Sequence, residues 1–264
     1  MKGISFYYGY DSNFKNRAKL IKEAGFDSVL VYYDENISEI VYHINQQGLE
    51  IDALHLPYKN EVNKIWQEQE CSKEYLEKLL KGIDFAHKNG IDCVVLHITS
   101  SNYPPEKNIN GINFINKLLQ KCEQYNIYLC LENLRRLDYL NYIYDNCCNR
   151  YLAFCFDTGH AHAFTKNSST FPHQILSKSL KCVHLHDNDG NDDLHLMPFD
   201  GNIKWDRIVE YINKYSIDRR ISLELHEKAV LLHGNLSEDK FLKICYDKIT
   251  LFYKMLNEAN IDEN

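Results

Sequence analysis

Residues 128–157 read YLCLENLRRLDYLNYIYDNCCNRYLAFCFD: an apolar run, a helix-period segment and a second apolar run. The two runs, Tyr128–Glu132 and Ala153–Asp157, are short and continuous, and each closes on an acid. Strands apolar on both faces belong in parallel sheets covered by helices. The segment Leu137–Cys148 supplies the crossover helix that such a pair needs. Working outward, the same unit recurs. Further strand-like runs are Lys2–Tyr7, Ser28–Tyr32, Ile51–His55, Cys93–His97, Cys182–His186 and Ile221–Leu225. Between them, Phe14, Ala18 and Ile21 share a helix face before Gly25; Ile37, Ile40, Val41 and Ile44 share one before Gly48. Leu76, Leu79, Leu80 and Ile83 do so before Gly90, and Ile112, Ile115, Leu118, Leu119 and Cys122 repeat the pattern. Trp205, Ile208, Val209 and Ile212 form another face, Phe241, Cys245, Ile249 and Phe252 the last, and a short helix is expected near Gln174–Leu180. The three glycines suit left-handed helix ends. Eight strands, each followed by a helix, predict an α/β chain folded as a single (β/α)₈ barrel domain over residues 1–264. A doubly wound open sheet would want a Gly-rich phosphate turn after the first strand, where the sequence has GYDSNF.

Loop lengths set the polarity of this barrel. Helix-to-strand turns are tight (AGF, QGL, KNG), whereas Pro57–Glu70, Thr99–Asn110 and Asp187–Lys204 are long strand-to-helix loops. Long loops at the C-terminal strand ends mark that rim as the working face. The bulk composition is that of a globular chain, with 44% apolar and 25% charged residues, 11 Gly and 5 Pro, which excludes disordered and collagen-like classes. No uncharged apolar run approaches a membrane span, and MKGISFYYGYDS lacks the apolar region of a signal peptide. Nine cysteines, four of them (Cys93, Cys130, Cys155, Cys182) inside strand-like runs, read as buried thiols in a reducing cytoplasm. The net charge of −7 argues against a nucleic-acid partner.

The strand ends carry the chemistry. Strand three ends in His55 (DALHLPY), four in His97 (VVLHITS), five in Glu132 (LCLENL) and six in Asp157 (FCFDTGHAH); seven holds His184 (CVHLHD) and eight Glu224 (ISLELH). Asp, Glu and His make up 49 of 264 residues, so six such ends in succession would arise by chance roughly 4 times in 100,000. Buried ionisable groups are costly unless paired or metal-bound, and six on one rim point to cations. Imidazole with carboxylate, with no Cys pair at metal spacing nearby, suits Zn²⁺, Mn²⁺ or Fe²⁺, of which Zn²⁺ or Mn²⁺ is expected. His160, in DTGH, and Asp193 and His195, in DLH, bring the candidates to nine, enough for two or three ions. His186 is expected to turn to the opposite side of the sheet from His184 or to sit just above it, with a supporting or substrate role. His162, His173, His226 and His233 are assigned nothing.

In FDTGHAHAF and HLHDNDGNDDLHLMPFDGNIKW, together with the strand-end residues, the sequence resembles the xylose isomerase-like TIM barrels. That superfamily comprises sugar phosphate isomerases and epimerases together with endonuclease IV. The resemblance covers essentially the whole chain. It implies, from the isomerase branch, that Glu132, Asp157, His184 and Glu224 hold one divalent metal and that the two glutamates form an acid–base pair about the substrate carbon. From the endonuclease branch it implies that His55, His97, Glu132, Asp157, His160, His184, Asp193, His195 and Glu224 hold three zinc ions. The rim loops DSNFKNRAK and PYKNEVNKIWQEQE are mixed in charge, although Lys15, Arg17 and Lys19 lie in the first. A nuclease needs a basic, wedge-bearing rim to grip a bent duplex. The expected function is therefore a metal-dependent isomerase or epimerase of a small sugar or sugar phosphate, working through an enediolate. The alternative is an apurinic-site nuclease.

Overall fold

Continuous apolar runs bounded by tight turns form eight strands: β1 (Lys2–Ser5), β2 (Ser28–Tyr32), β3 (Glu50–His55), β4 (Cys93–Leu96), β5 (Tyr128–Glu132), β6 (Leu152–Asp157), β7 (Leu180–Leu185) and β8 (Ser216–Leu223). In the computed structural model they pair in parallel, each with the next, and β1 with β8 closes the barrel. The structure describes residues 1–59, 61–166, 168–234 and 236–259, with 216–219 as strand only. The fold is the expected (β/α)₈ barrel. Strand limits differ from the sequence reading by a few residues: β1 stops at Ser5, β7 begins at Leu180, and β8 begins at Ser216.

The outer layer consists of α1 (Phe14–Ala24), α2 (Ile37–Gln46), α3 (Gln69–Lys88), α4 (Ile109–Tyr125), α5 (Leu137–Asn146), α6 (Thr158–Ala163), α7 (His173–Leu176), α8 (Trp205–Tyr215), α9 (Glu227–Leu232) and α10 (Glu238–Ala259). The amphipathic faces read from spacing are the buried ones, as in α2, where Ile37, Ile40, Val41 and Ile44 point inward. Gly25 ends α1 at φ 106°, and its N–H returns to the carbonyls of Ile21 and Lys22. The expected helix near Gln174–Leu180 is a single turn, α7, because Leu180 is already needed in β7. Inside the barrel the side chains are mostly small: Leu30, Ala53, Val95 and Ala153 with the four expected thiols of Cys93, Cys130, Cys155 and Cys182. Those cysteines are free and buried. Among the described residues, no helix is long and apolar enough to cross a membrane.

Candidate metal centre

Parallel pairing brings the C-terminal strand ends to one rim. Asp157 is in register with His184 across β6 and β7, and His55 with Tyr32 across β2 and β3. All nine candidate residues sit at this mouth, and their donor atoms, with those of His186, form three adjoining groups, each with its atoms within 4.8 Å of one another. The first is His55, His97 and Glu132; the second Glu132, Asp157, His184 and Glu224; the third His160, His186, Asp193 and His195.

Glu132 joins the first two groups. Its Oε2 lies 3.2 Å from His55 Nε2 and 3.0 Å from His97 Nε2. Its Oε1 lies 3.1 Å from His160 Nδ1 and 3.5 Å from His184 Nδ1, which in turn is 3.1 Å from Glu224 Oε2. In the third group Asp193 Oδ2 is 3.4 Å from His160 Nε2 and 3.3 Å from His195 Nε2. Backbone carbonyls set the tautomers, since His55 Nδ1 donates to Leu56 O at 2.9 Å and His195 Nδ1 to Glu224 O at 2.8 Å. Both leave Nε2 facing the site, the usual orientation for a metal-ligating imidazole.

The donor set fits divalent cations. Glu132 Oε1, both ring nitrogens of His184, His186 Nδ1, Asp193 Oδ1 and Glu224 Oε2 are buried and make no hydrogen bond. Several of these atoms approach one another closely without hydrogen-bond geometry, as donors do when they converge on a shared point. Electrostatics agree. Burial pushes Glu132 up, yet the imidazoles of His97 and His184 hold it well below the usual carboxylate range. Glu224 is likewise driven up by burial and held well below by His184. Burial lowers His184, but Glu224 and Glu132 carry it well above an ordinary imidazole. Asp157, Asp193 and Glu132 do the same for His160 against its burial. For His97 burial wins and the ring is lowered. The carboxylates thus favour the charged forms of His160 and His184, and a cation would take over that balancing role.

The expectation for His186 needs correction. It does not turn away from His184 but reaches the same space, with Nε2 3.0 Å from Asp157 Oδ2 and Nδ1 3.9 Å from Asp193 Oδ1. Residues two apart share a face of a strand, so His184 and His186 point the same way as β7 leaves the barrel. Gly159, in DTGH, makes room for the ring: a Cβ there would overlap it. The third group therefore has four members. Arg17, one of three cations expected on the first rim loop, is buried against Phe6, Tyr7 and Tyr8 and donates to Tyr10 O at 2.5 Å.

Three supporting residues escaped the sequence reading. Asn133 locks the ends of β5 and β6 together: its Oδ1 accepts from Asp157 N, and its Nδ2 donates to Asp157 O, each at 2.8 Å. Buried Asp187 shapes the loop after β7 by accepting from the backbone of Asn188, Phe199 and Ile203 and from Trp205 Nε1, at 2.9–3.2 Å. Its backbone bridges Leu196, which puts Asp193 and His195 over the third group. Tyr32 donates to Glu224 Oε1 at 2.5 Å. The Asp in HLHDND offered the only sequence signal among them, hidden in a turn-like run where Asp is ordinary.

Beside the donor groups a cavity of about 950 Å³ opens over β1, β2, β3 and β8, reaching His55 and Tyr32 at its inner end and Lys59, Lys78 and Glu227 at its outer end.

Comparison with known proteins agrees with this fold. A solved D-tagatose 3-epimerase-like protein superposes with a TM-score of 0.79 at 23% identity, covering 98% of both chains. The D-psicose 3-epimerase of Clostridium cellulolyticum H10, solved with D-tagatose, gives 0.76 at 13% identity over 97% of this chain and 99% of its own. The uncharacterized protein y4fM of Sinorhizobium fredii is 27% identical over 245 residues, 77% of this chain and 78% of its own. With its barrel closed, its rim set with these donors, and residues 18–242 matched by the family's model, the chain belongs to the xylose isomerase-like TIM barrel family.

Proposed function

We propose that the protein is a divalent-metal-dependent isomerase or epimerase of a small sugar, moving a proton through an enediolate between Glu132 and Glu224. The observation that carries this reading is how the two glutamates are wired. Each has one oxygen committed and one buried without a hydrogen bond: Glu132 Oε2 accepts from His97 Nε2 while Oε1 stays open, and Glu224 Oε1 accepts from Tyr32 while Oε2 stays open. The open oxygens flank His184 from strands β5 and β8, three apart in the barrel, so they approach a bound carbon from separate directions. Epimerisation needs that: one group to take the proton on one face, another to return it on the other.

Glu132, Asp157, His184 and Glu224 would hold one ion, Zn²⁺ or Mn²⁺, with His55 and His97 beside Glu132, and His160, His186, Asp193 and His195 holding a second or third. A divalent ion there supplies the Lewis acidity that stabilises negative charge developing on the sugar oxygens. His184 lies between the glutamates and favours their ionised forms. Tyr32 fixes the rotamer of Glu224, and His55 with His97 fixes that of Glu132. Likeness in fold to a D-psicose 3-epimerase supports the substrate class.

The nine-residue set that fits three ions favours a second reading, metal-assisted cleavage of an abasic-site duplex. The burial of Arg17 weakens it, since a duplex-gripping rim needs that charge in solvent. One experiment decides. Metal-loaded protein is incubated in D₂O with ketoses and, in parallel, with abasic DNA. Exchange of a carbon-bound sugar proton without incision is expected; incision without exchange would overturn the proposal.

A further inference from the structure

We infer that the substrate is an unphosphorylated saccharide longer than the ring that reacts, its second unit lying along an aromatic wall that leads out of the barrel mouth. The inference rests on the isomerase reading and extends it to the part of the substrate that does not react. Three features point the same way.

Size is the first. A cavity of about 950 Å³ lies near the top of the range of roughly 300–1,000 Å³ that holds drug-sized ligands. A single hexose, with 12 heavy atoms, would leave most of it to water.

The second is the wall. Ring contacts run outward without a break from the first donor group. Tyr58 packs on His97 at 4.2 Å and on His55 at 5.0 Å between centroids; Tyr32 stacks on His55 at 5.3 Å and 18°; Tyr7 meets Tyr32 at 6.3 Å. Tyr7, Tyr32 and Tyr58 all line the cavity. Aromatic faces bury the C–H faces of sugar rings, while their phenolic ends and neighbouring carboxylates accept and donate to hydroxyls. At the outer end Tyr7 donates to Asp34 Oδ2 at 3.2 Å, placing an acceptor beside the last ring.

Charge is the third, and it bears on the choice between free and phosphorylated sugar. Asp34, Glu35 and Glu227 face the cavity against Lys59 and Lys78. Lys78 is already bound to Glu61 at 3.0 Å. A phosphate is ordinarily received at a helix start. Here Asp34 Oδ1 accepts from Asn36 N at 2.8 Å at the start of α2, and Glu227 opens α9. At the start of α2 a carboxylate occupies the place where an anion would be held, and Glu227 adds negative charge in the first turn of α9.

The test is a matched set of probes titrated calorimetrically into the metal-loaded protein. D-fructose, D-fructose 6-phosphate and isomaltulose differ only at O6, and maltulose carries its glucose at O4. At least one disaccharide should bind tenfold or more tighter than fructose, and the phosphate ester should bind more weakly than fructose. Tyr7→Ala should cost that disaccharide about tenfold and leave fructose within twofold, with Tyr7→Phe retaining the preference. Fructose binding as tightly as both disaccharides, or the phosphate ester binding tightest, would overturn the inference, and neither result depends on a variant's folding. Failure of the underlying reading looks different: the disaccharide is preferred, yet no probe exchanges a carbon-bound proton in D₂O. If no sugar binds at all, both fall.

Discussion

At the scale of single residues, the site depends on which oxygen or nitrogen of each side chain is already engaged. Glu132→Gln and Glu224→Gln should each lower sugar turnover by about 10²–10⁴-fold, the usual contribution of a general acid or base. Metal content should fall less than in His184→Ala, because an amide oxygen still coordinates and still accepts from Tyr32 or from His97. Elemental analysis beside steady-state rates separates the two effects; Gln variants active at full metal content would reduce the glutamates to ligands. Gly159 offers a second probe. A methyl group there would overlap the His186 ring, so Gly159→Ala should push that ring off Asp157. We expect a loss of about 1–3 kcal/mol, typical of overpacking, together with weaker metal binding at the third group. Unchanged denaturation midpoints would show that the ring moves at no cost.

Among the elements, the loop after β7 does the most to assemble the site. Nothing in its composition distinguishes it from an ordinary solvent turn, yet Asp187 folds it back over the barrel through four hydrogen bonds. His195 and Phe199 are held there at φ 48° and 73°, left-handed values that non-glycine residues seldom adopt. Asp187→Ala would leave buried backbone N–H groups and the Trp205 indole unpaired, a loss of about 2 kcal/mol or more. On the proposed reading it should also lower metal content at the group of His160, His186, Asp193 and His195 while sparing that at Glu132 and His184. Retention of every ion by this variant would show that the loop is held in some other way. The long helices α2, α3 and α4 were legible from spacing alone because one face of each is continuously buried. The short α6 and α9 were not, because one or two turns carry too little period to register.

For the whole molecule, the buried charges couple stability to pH and to metal. His160, His184 and His195 are raised in the folded protein: burial lowers each, but neighbouring carboxylates outweigh it. Their contribution is complete below the unfolded imidazole value of about 6.5 and is lost as pH rises through the higher folded values. Glu132, Glu224 and Asp193 are lowered against their own burial by surrounding imidazoles. Their contribution is present above the unfolded carboxylate range of about 4 and is lost as pH falls through the folded values. These six groups outnumber His97 and His226, which burial lowers and which act in the opposite sense, so metal-free protein should be most stable between about pH 4 and 6.5. Cations displace the imidazole protons, so the gain in Tm on adding Zn²⁺ or Mn²⁺ should grow from pH 6 to pH 8, with protons released on binding. Thermal unfolding with and without chelator across this range checks both statements. Chelated protein more stable at pH 8 than at pH 5.5 would contradict them.

Sequence by itself determined the barrel and the identity of its rim. Continuous apolar runs such as Leu152–Asp157 can be satisfied only between two covering layers, and eight of them with crossover helices leave few ways to close. A charged residue at the end of such a run has nowhere to go but the mouth, which is why His55, His97, Glu132, Asp157, His184 and Glu224 could be named before any coordinates. Tertiary structure alone decided how those residues are shared and supported. Glu132 belongs to two donor groups because β5 lies between the imidazoles of β3 and β4 on one side and His184 on the other. His186 joined the third group, Asp187 became the anchor of a loop, Tyr32 came to bind Glu224 across 192 residues of sequence, and Arg17 withdrew from the rim. Each of these depends on direction and distance between elements far apart in the chain, and a one-dimensional pattern of residue types carries neither.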